Sequence, residues 1–149
     1  MKFKKLDIHS KNTLKVSQDI RVRFSEIDAL GVVWHGYYLY YFEDGREAFG
    51  RKYGISYLDV KAQGYVTPII KSSCNHKLPL CYGEIVTVET TFINTPAAKI
   101  IFNYKIINAE GKIVCTGETI QVFVDDDNND LSLTFPPFFK AWKDSNKLI

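Results

Sequence analysis

Apolar residues recur at every second position where the chain first becomes regular. Leu14, Val16, Ile20, Val22 and Phe24 share one parity, while Lys15, Arg21, Arg23 and Ser25 take the other. The alternation predicts a half-buried strand. From Gly36 to about Tyr53 the period lengthens. Tyr38, Tyr41, Phe42, Gly45, Ala48, Phe49 and Lys52 fall at helical spacing, with Glu43, Arg46, Glu47 and Arg51 largely off that face. Such a helix is on the order of 27 Å long. Gly45 in its middle costs about 1 kcal/mol of helix propensity and lets another element approach closely. Gly54 is placed to cap the C-terminus. Ile55 to Gly64 reads as a connector with a short helical turn, and strand upon strand follows: Tyr65–Lys77 closed by Pro79, then Glu84–Asn94, Lys99–Asn108 and Lys112–Val124. Thr95-Pro96 and Asn108-Ala109-Glu110-Gly111 supply the turns between them. Pro136-Pro137 predicts the start of a short helix through Trp142.

One strand, one long helix and a run of strands predict an α+β domain, an antiparallel sheet of five to six strands wrapped around the helix. Residues 1–149 read as one domain, with a core at about 15–125 and a C-terminal extension at 126–149. A single sheet layer with one helix leaves its edges underprotected, so pairing with a second copy is expected, as a homodimer or homotetramer.

Composition narrows the classes of function. A net charge of +2 with scattered Lys and Arg, the pair Lys4-Lys5 being the nearest approach to a basic cluster, is no footprint for nucleic acid. Positive charge in residues 1–12 is not followed by the apolar stretch of a signal peptide, and no run approaches a membrane span; a cytoplasmic protein is expected. Cys74, Cys81 and Cys115 are odd in number and lack CxxC spacing, so neither a disulfide framework nor a zinc site is expected, and free buried thiols are. The acidic run at 125–130 lacks the spacing of a calcium loop and reads as solvated.

The candidate chemistry lies in residues 21–46, RVRFSEIDALGVVWHGYYLYYFEDGR. A strand runs into a lone acid, Asp28; a turn at Gly31 and the apolar Val32-Val33-Trp34 follow; His35-Gly36 then opens the aromatic helix. A carboxylate is thereby aimed at a helix N-terminus, whose first N–H groups lack intrahelical partners. A carbonyl between them could be polarised from one side and attacked from the other. The plain alternative is that Asp28 caps a turn, since Asp-x-x-Gly is ordinary turn chemistry. Glu43 reads as the partner of Arg46, as part of a solvated face, or as a buried hydrogen-bonding group. Cys74 and His76 share a strand face, but no orienting partner or helix terminus is evident that would activate the thiol.

The block Arg21-Val22, Asp28, Gly31, Val32-Val33, His35 and Tyr41-Phe42-Glu43 with Arg46 resembles the hotdog-fold acyl-CoA thioesterases of the 4-hydroxybenzoyl-CoA thioesterase-like family. Pro79 with Gly83-Glu84 and the following Val/Thr-rich strand extends that resemblance more weakly over about residues 15–125. Ile27 departs from the pattern, where many members carry Thr or Cys, as does the bulky Trp34. The resemblance implies an acyl-CoA thioesterase without cofactor or metal. Asp28 would act as nucleophile or general base, and His35 would act through its backbone N–H or its imidazole. Trp34, Gly36 and Tyr37 would line the acyl pocket. Acyl groups on an acyl carrier protein are an alternative substrate. The rival readings are a hotdog hydratase or dehydratase using His35 with Glu43, and a non-catalytic acyl-thioester-binding module.

Overall fold

The computed structural model describes residues 13–148. The chain-terminal stretch read for a signal, with Lys4 and Lys5, lies outside these residues. β1 (Lys15–Arg21) leads through a 3-10 turn (Phe24–Glu26) to the helix α1 (Tyr37–Tyr53), and α2 (Tyr57–Ala62) follows. The strands are β2 (Tyr65–Val66), β3 (Ile69–His76), β4 (Ile85–Ile93), β5 (Lys99–Ile107), β6 (Ile113–Val122) and β7 (Val124–Asp125), before the helix α3 (Pro137–Ser145). Five strands form one antiparallel sheet in the order β1-β4-β5-β6-β3, and β2 pairs with β7 in a separate ribbon.

Helix α1 buries Tyr38, Tyr41, Phe42, Gly45, Phe49 and Gly50. It packs on one face of the sheet through two glycine contacts. Gly45 lies against Thr90 and Val88 of β4, and Gly117 of β6 makes room for the Phe42 ring. Phe42 then stacks on Tyr104 at 4.3 Å between ring centres. Gly54 caps the helix in a left-handed conformation, φ 73°, donating to Gly50 O. In α2, Ser56 accepts from the Asp59 N–H and so satisfies an otherwise orphaned donor. Helix α3 closes the core with Phe139 and Trp142, whose Nε1 donates to Tyr53 O at 2.7 Å. Among the described residues no helix is long and apolar enough to cross a membrane.

Several expectations need correction. The first strand ends at Arg21, and Phe24, assigned inward by parity, is 79% exposed because the chain turns into the 3-10 element there. The strand expected at Tyr65–Lys77 is broken at Thr67-Pro68 into β2 and β3, and Lys112–Val124 divides into β6 and β7. Pro68 has no N–H to donate to a ladder, so pairing is interrupted there. Lys52, placed on the buried face by spacing, is exposed near the end of α1. The acidic run is a turn, with Asp125 Oδ1 accepting from the N–H groups of Asp127 and Asn128.

Candidate active site

The loop between β1 and α1 is fixed by main-chain pairing. Ile27 and Val33 form an isolated antiparallel bridge, Asp28 N donates to Val32 O at 2.9 Å, and Gly31 N donates to Asp28 O at 3.0 Å. Gly31 takes φ 79°, a conformation costly for any residue with a Cβ. Asp28 is half-buried, and its Oδ1 accepts from Leu30 N at 2.8 Å, so one carboxylate oxygen does hold the turn. The other oxygen has no hydrogen-bond partner among the described residues.

Farther along, Trp34 N donates to Glu26 O and Val33 N to Leu80 O, both at 2.9 Å. The leading edge of α1 is thereby tied to the 3-10 turn and to the segment before β4. Tyr37 N donates to Trp34 O, whereas the N–H groups of His35 and Gly36 make no hydrogen bond among the described residues. Donors without partners at a helix start favour a negative or polarised oxygen. The Trp34 indole lies over Gly36, where a Cβ would overlap the ring. It also contacts His35 at 5.1 Å and Tyr37 at 5.8 Å between ring centres. All the residues singled out at 28 and 34–37 therefore belong to one loop and the helix entry it feeds.

Sequence reasoning missed Glu26. Its carboxylate accepts from Arg23 N at 2.7 Å and from the Tyr41 hydroxyl at 3.0 Å, while its carbonyl holds Trp34 N. Burial first, then the Glu26 carboxylate, pushes the Tyr41 hydroxyl far above its usual pKa, so it stays a donor. The signal available was the three-residue offset from Arg23 to Glu26, an acid closing back on the start of a turn. Glu43 is exposed, and of the three readings open to it neither the pairing with Arg46 nor a buried hydrogen bond is formed. Arg46 turns inward to donate to the Tyr104 hydroxyl at 3.2 Å, and Glu47 pairs with Arg51 at 3.7 Å instead. Glu43 therefore belongs to a solvated face.

Two hollows run beside α1. One of 460 Å³ is lined by Trp34, Gly36, Leu39, Tyr40, Glu43, Arg46, Ile69, Ser72 and Thr119. The second, 860 Å³, shares Glu43 and Arg46 and continues past Phe49, Ile55, Val60, Val66, Ile100 and Phe102. Cys74 and His76, which lacked an evident partner in sequence, meet Cys115 across the sheet, with the two sulfurs 2.9 Å apart. Of the three thiols only Cys115 is buried, and Cys81 is exposed.

The sequence profile of the Thioesterase-like superfamily matches residues 22–143. The chain belongs to that superfamily. YneP of Bacillus subtilis (strain 168), provisionally named an acyl-CoA thioesterase, is 29% identical to this thioesterase over 133 residues, covering 87% of this chain and 96% of YneP. The crystal structure of a DHNA-CoA thioesterase from Staphylococcus aureus superposes with a TM-score of 0.79 at 28% identity, over 90% of this chain and 92% of that one. A 4-hydroxybenzoyl CoA thioesterase mutant complexed with 4-hydroxybenzoyl CoA shares the fold, with a TM-score of 0.75 at 19% identity over 87% and 98% of the two chains. This thioesterase is thus a thioester hydrolase of the hotdog fold.

Proposed function

We propose that this thioesterase hydrolyses acyl-CoA to the free acid and CoA, with Asp28 as nucleophile or general base. The backbone N–H groups of His35 and Gly36 polarise the thioester carbonyl. The observation that carries this reading is a division of labour at Asp28: one oxygen is fixed by Leu30 N, and the other is unpartnered among the described residues, in a loop that ends at two unpartnered amides. As nucleophile, Asp28 attacks the carbonyl carbon, expels CoA thiolate and leaves an acyl anhydride that water cleaves. As base, it takes a proton from the attacking water and passes it toward the thiolate. In both cases the developing oxyanion is met by preorganised amides, each able to contribute about 3 kcal/mol at the transition state. His35 then acts through its main chain, and its imidazole is dispensable.

Trp34 walls the entry, with Tyr37 packed against it at 5.8 Å between ring centres, and the acyl group lies along α1 in the hollow that begins at Gly36. That hollow opens beside β3, the outer strand of the sheet, whose Ile69 and Ile70 are 42% and 56% exposed. A second copy covering this edge completes the pocket, which supports a homodimer or a dimer of dimers. The hydratase reading loses support because Glu43 lies roughly 12 Å beyond His35 at helical rise, too far for a proton-transferring couple.

The test is thiol release from aromatic, short-chain and long-chain acyl-CoAs, with an acyl-carrier-protein thioester alongside. Wild type should hydrolyse at least one acyl-CoA, and Asp28→Asn should lose about 10² or more in kcat. Unchanged turnover in the variant removes Asp28 from the mechanism. Binding across the panel without turnover makes the protein a binding module, and turnover confined to the carrier-protein substrate moves the donor from CoA.

A further inference from the structure

The sheet register assembles a cluster that the thioesterase reading does not use. In the β3–β6 pairing, His76 stands opposite Cys115 and Cys74 opposite Gly117, and Cys74 and His76 share a face two residues apart. The Sγ atoms of Cys74 and Cys115 and a ring nitrogen of His76 all lie within 4.8 Å of one another. Cys74 Sγ is 2.9 Å from Cys115 Sγ and 3.9 Å from His76 Nδ1. Zinc–sulfur bonds of about 2.3 Å and zinc–nitrogen bonds of about 2.0–2.1 Å, set tetrahedrally, separate ligand atoms by roughly 3.4–3.8 Å. The triangle here straddles that spacing: the sulfurs need to part by under about 1 Å, and the imidazole, with Nδ1 3.9 Å from Cys74 Sγ, needs to close in by a few tenths of an ångström. Two thiolates with an imidazole select thiophilic cations over hard ones such as magnesium or calcium.

We infer that Cys74, His76 and Cys115 form a three-ligand site for a thiophilic divalent cation of the zinc class, its fourth position taken by water or an exogenous ligand. The site lies under the first turn of α1. The His76 ring packs edge-on against Tyr38, 4.7 Å between centres, and stands 6.5 Å from the His35 ring. An ordinary thiol is protonated at neutral pH, so binding forms two metal–sulfur bonds, breaks two S–H bonds and releases two protons to solvent. Neither the acid at 28 nor the amides at 35 and 36 take part, so the inference is independent of the assignment of those residues to hydrolysis.

The experiment is a titration of fully reduced protein with Co²⁺, read as sulfur-to-cobalt charge-transfer absorption in the near ultraviolet. Zn²⁺ displacement of the cobalt follows, and proton release is measured in weak buffer. One cobalt per chain with a two-thiolate band, displacement by Zn²⁺ and release of two protons are expected. Cys74→Ser and His76→Gln should each weaken binding at least tenfold, and Cys81→Ser should leave it unchanged. The test does not depend on Cys115→Ser, whose side chain is fully buried, and circular dichroism checks that the other variants fold. Absence of a charge-transfer band overturns the site. So does binding that survives both Cys74→Ser and His76→Gln, or binding lost in Cys81→Ser. Reduced protein that takes up no metal but pairs Cys74 with Cys115 on mild oxidation overturns it in favour of a redox pair.

Discussion

Adding one methyl group at Gly45 tests how the helix is seated on the sheet. A Cβ there falls inside contact distance of Thr90 Oγ1 and meets Val88 Cγ1 at 3.0 Å. Both partners are on β4, an inner strand hydrogen-bonded to β1 on one side and β5 on the other, so the sheet has little freedom to yield. Two effects oppose each other. Alanine is favoured over glycine in a helix interior by about 1 kcal/mol, while overpacking a filled interface costs typically 1–3 kcal/mol. The collision prevails because relieving it means lifting α1, which also loosens Tyr41, Phe42 and Phe49 on the same face. Gly45→Ala should therefore destabilise by about 1–2 kcal/mol, lowering Tm by roughly 2–8 °C in a chain of this size. Scanning calorimetry and urea unfolding, with an unchanged m value, are the measurements. Because the start of α1 carries the amides at 35 and 36, kcat should fall as well. In a Thr90→Ala background the offending hydroxyl is gone and the same Gly45→Ala change should become neutral or stabilising, a coupling above about 1 kcal/mol. A higher Tm for Gly45→Ala alone, or a penalty indifferent to residue 90, would refute this account of the packing.

Thr90 Oγ1 is buried and without a hydrogen-bond partner among the described residues, so Thr90→Val should stabilise by about 1 kcal/mol in denaturant unfolding; a loss would mean the hydroxyl is satisfied. Tyr41→Phe removes the donor that positions Glu26, and a several-fold loss of kcat with KM little changed is expected, at a stability cost of about 1.5–3 kcal/mol. Unchanged kinetics would deny Glu26 a positioning role. Burial, reinforced by the Cys115 and Cys74 sulfurs, raises the Tyr38 hydroxyl from 10.0 to about 12. A pKa raised on folding stabilises below the unfolded value, so Tyr38's contribution is intact below pH 10 and is lost as pH climbs through about 12. Tyr38→Phe should flatten the fall in stability across that window in pH-dependent urea melts, and an equally steep fall assigns the alkaline transition to another group.

Local periodicity places the main elements of this protein, though not the breaks at Phe24, Thr67-Pro68 and Phe123, and residue order marks the loop that carries its candidate chemistry. The spacing of Tyr38, Tyr41, Phe42 and Phe49 places α1, Gly54 stops it, and the close approach expected at Gly45 is met by β4. Asp28, Trp34, His35, Gly36 and Tyr37 share one loop and the helix entry it feeds because they are neighbours in sequence. What depends on strand register is not written in any short window. Cys74 and Cys115 are separated by dozens of residues that no spacing rule connects, and only the antiparallel pairing of β3 with β6 brings their sulfurs into contact. Glu26 likewise finds Tyr41 only once the chain has turned back on the helix, and Arg46 donates to the Tyr104 hydroxyl of β5, a partner that no spacing in the sequence reveals. Parity failed at Phe24 for the same reason: alternation reports which face a strand offers, whereas the point at which the strand stops is decided by the Glu26 carboxylate capturing Arg23 N and by the bond from Trp34 N to the Glu26 carbonyl.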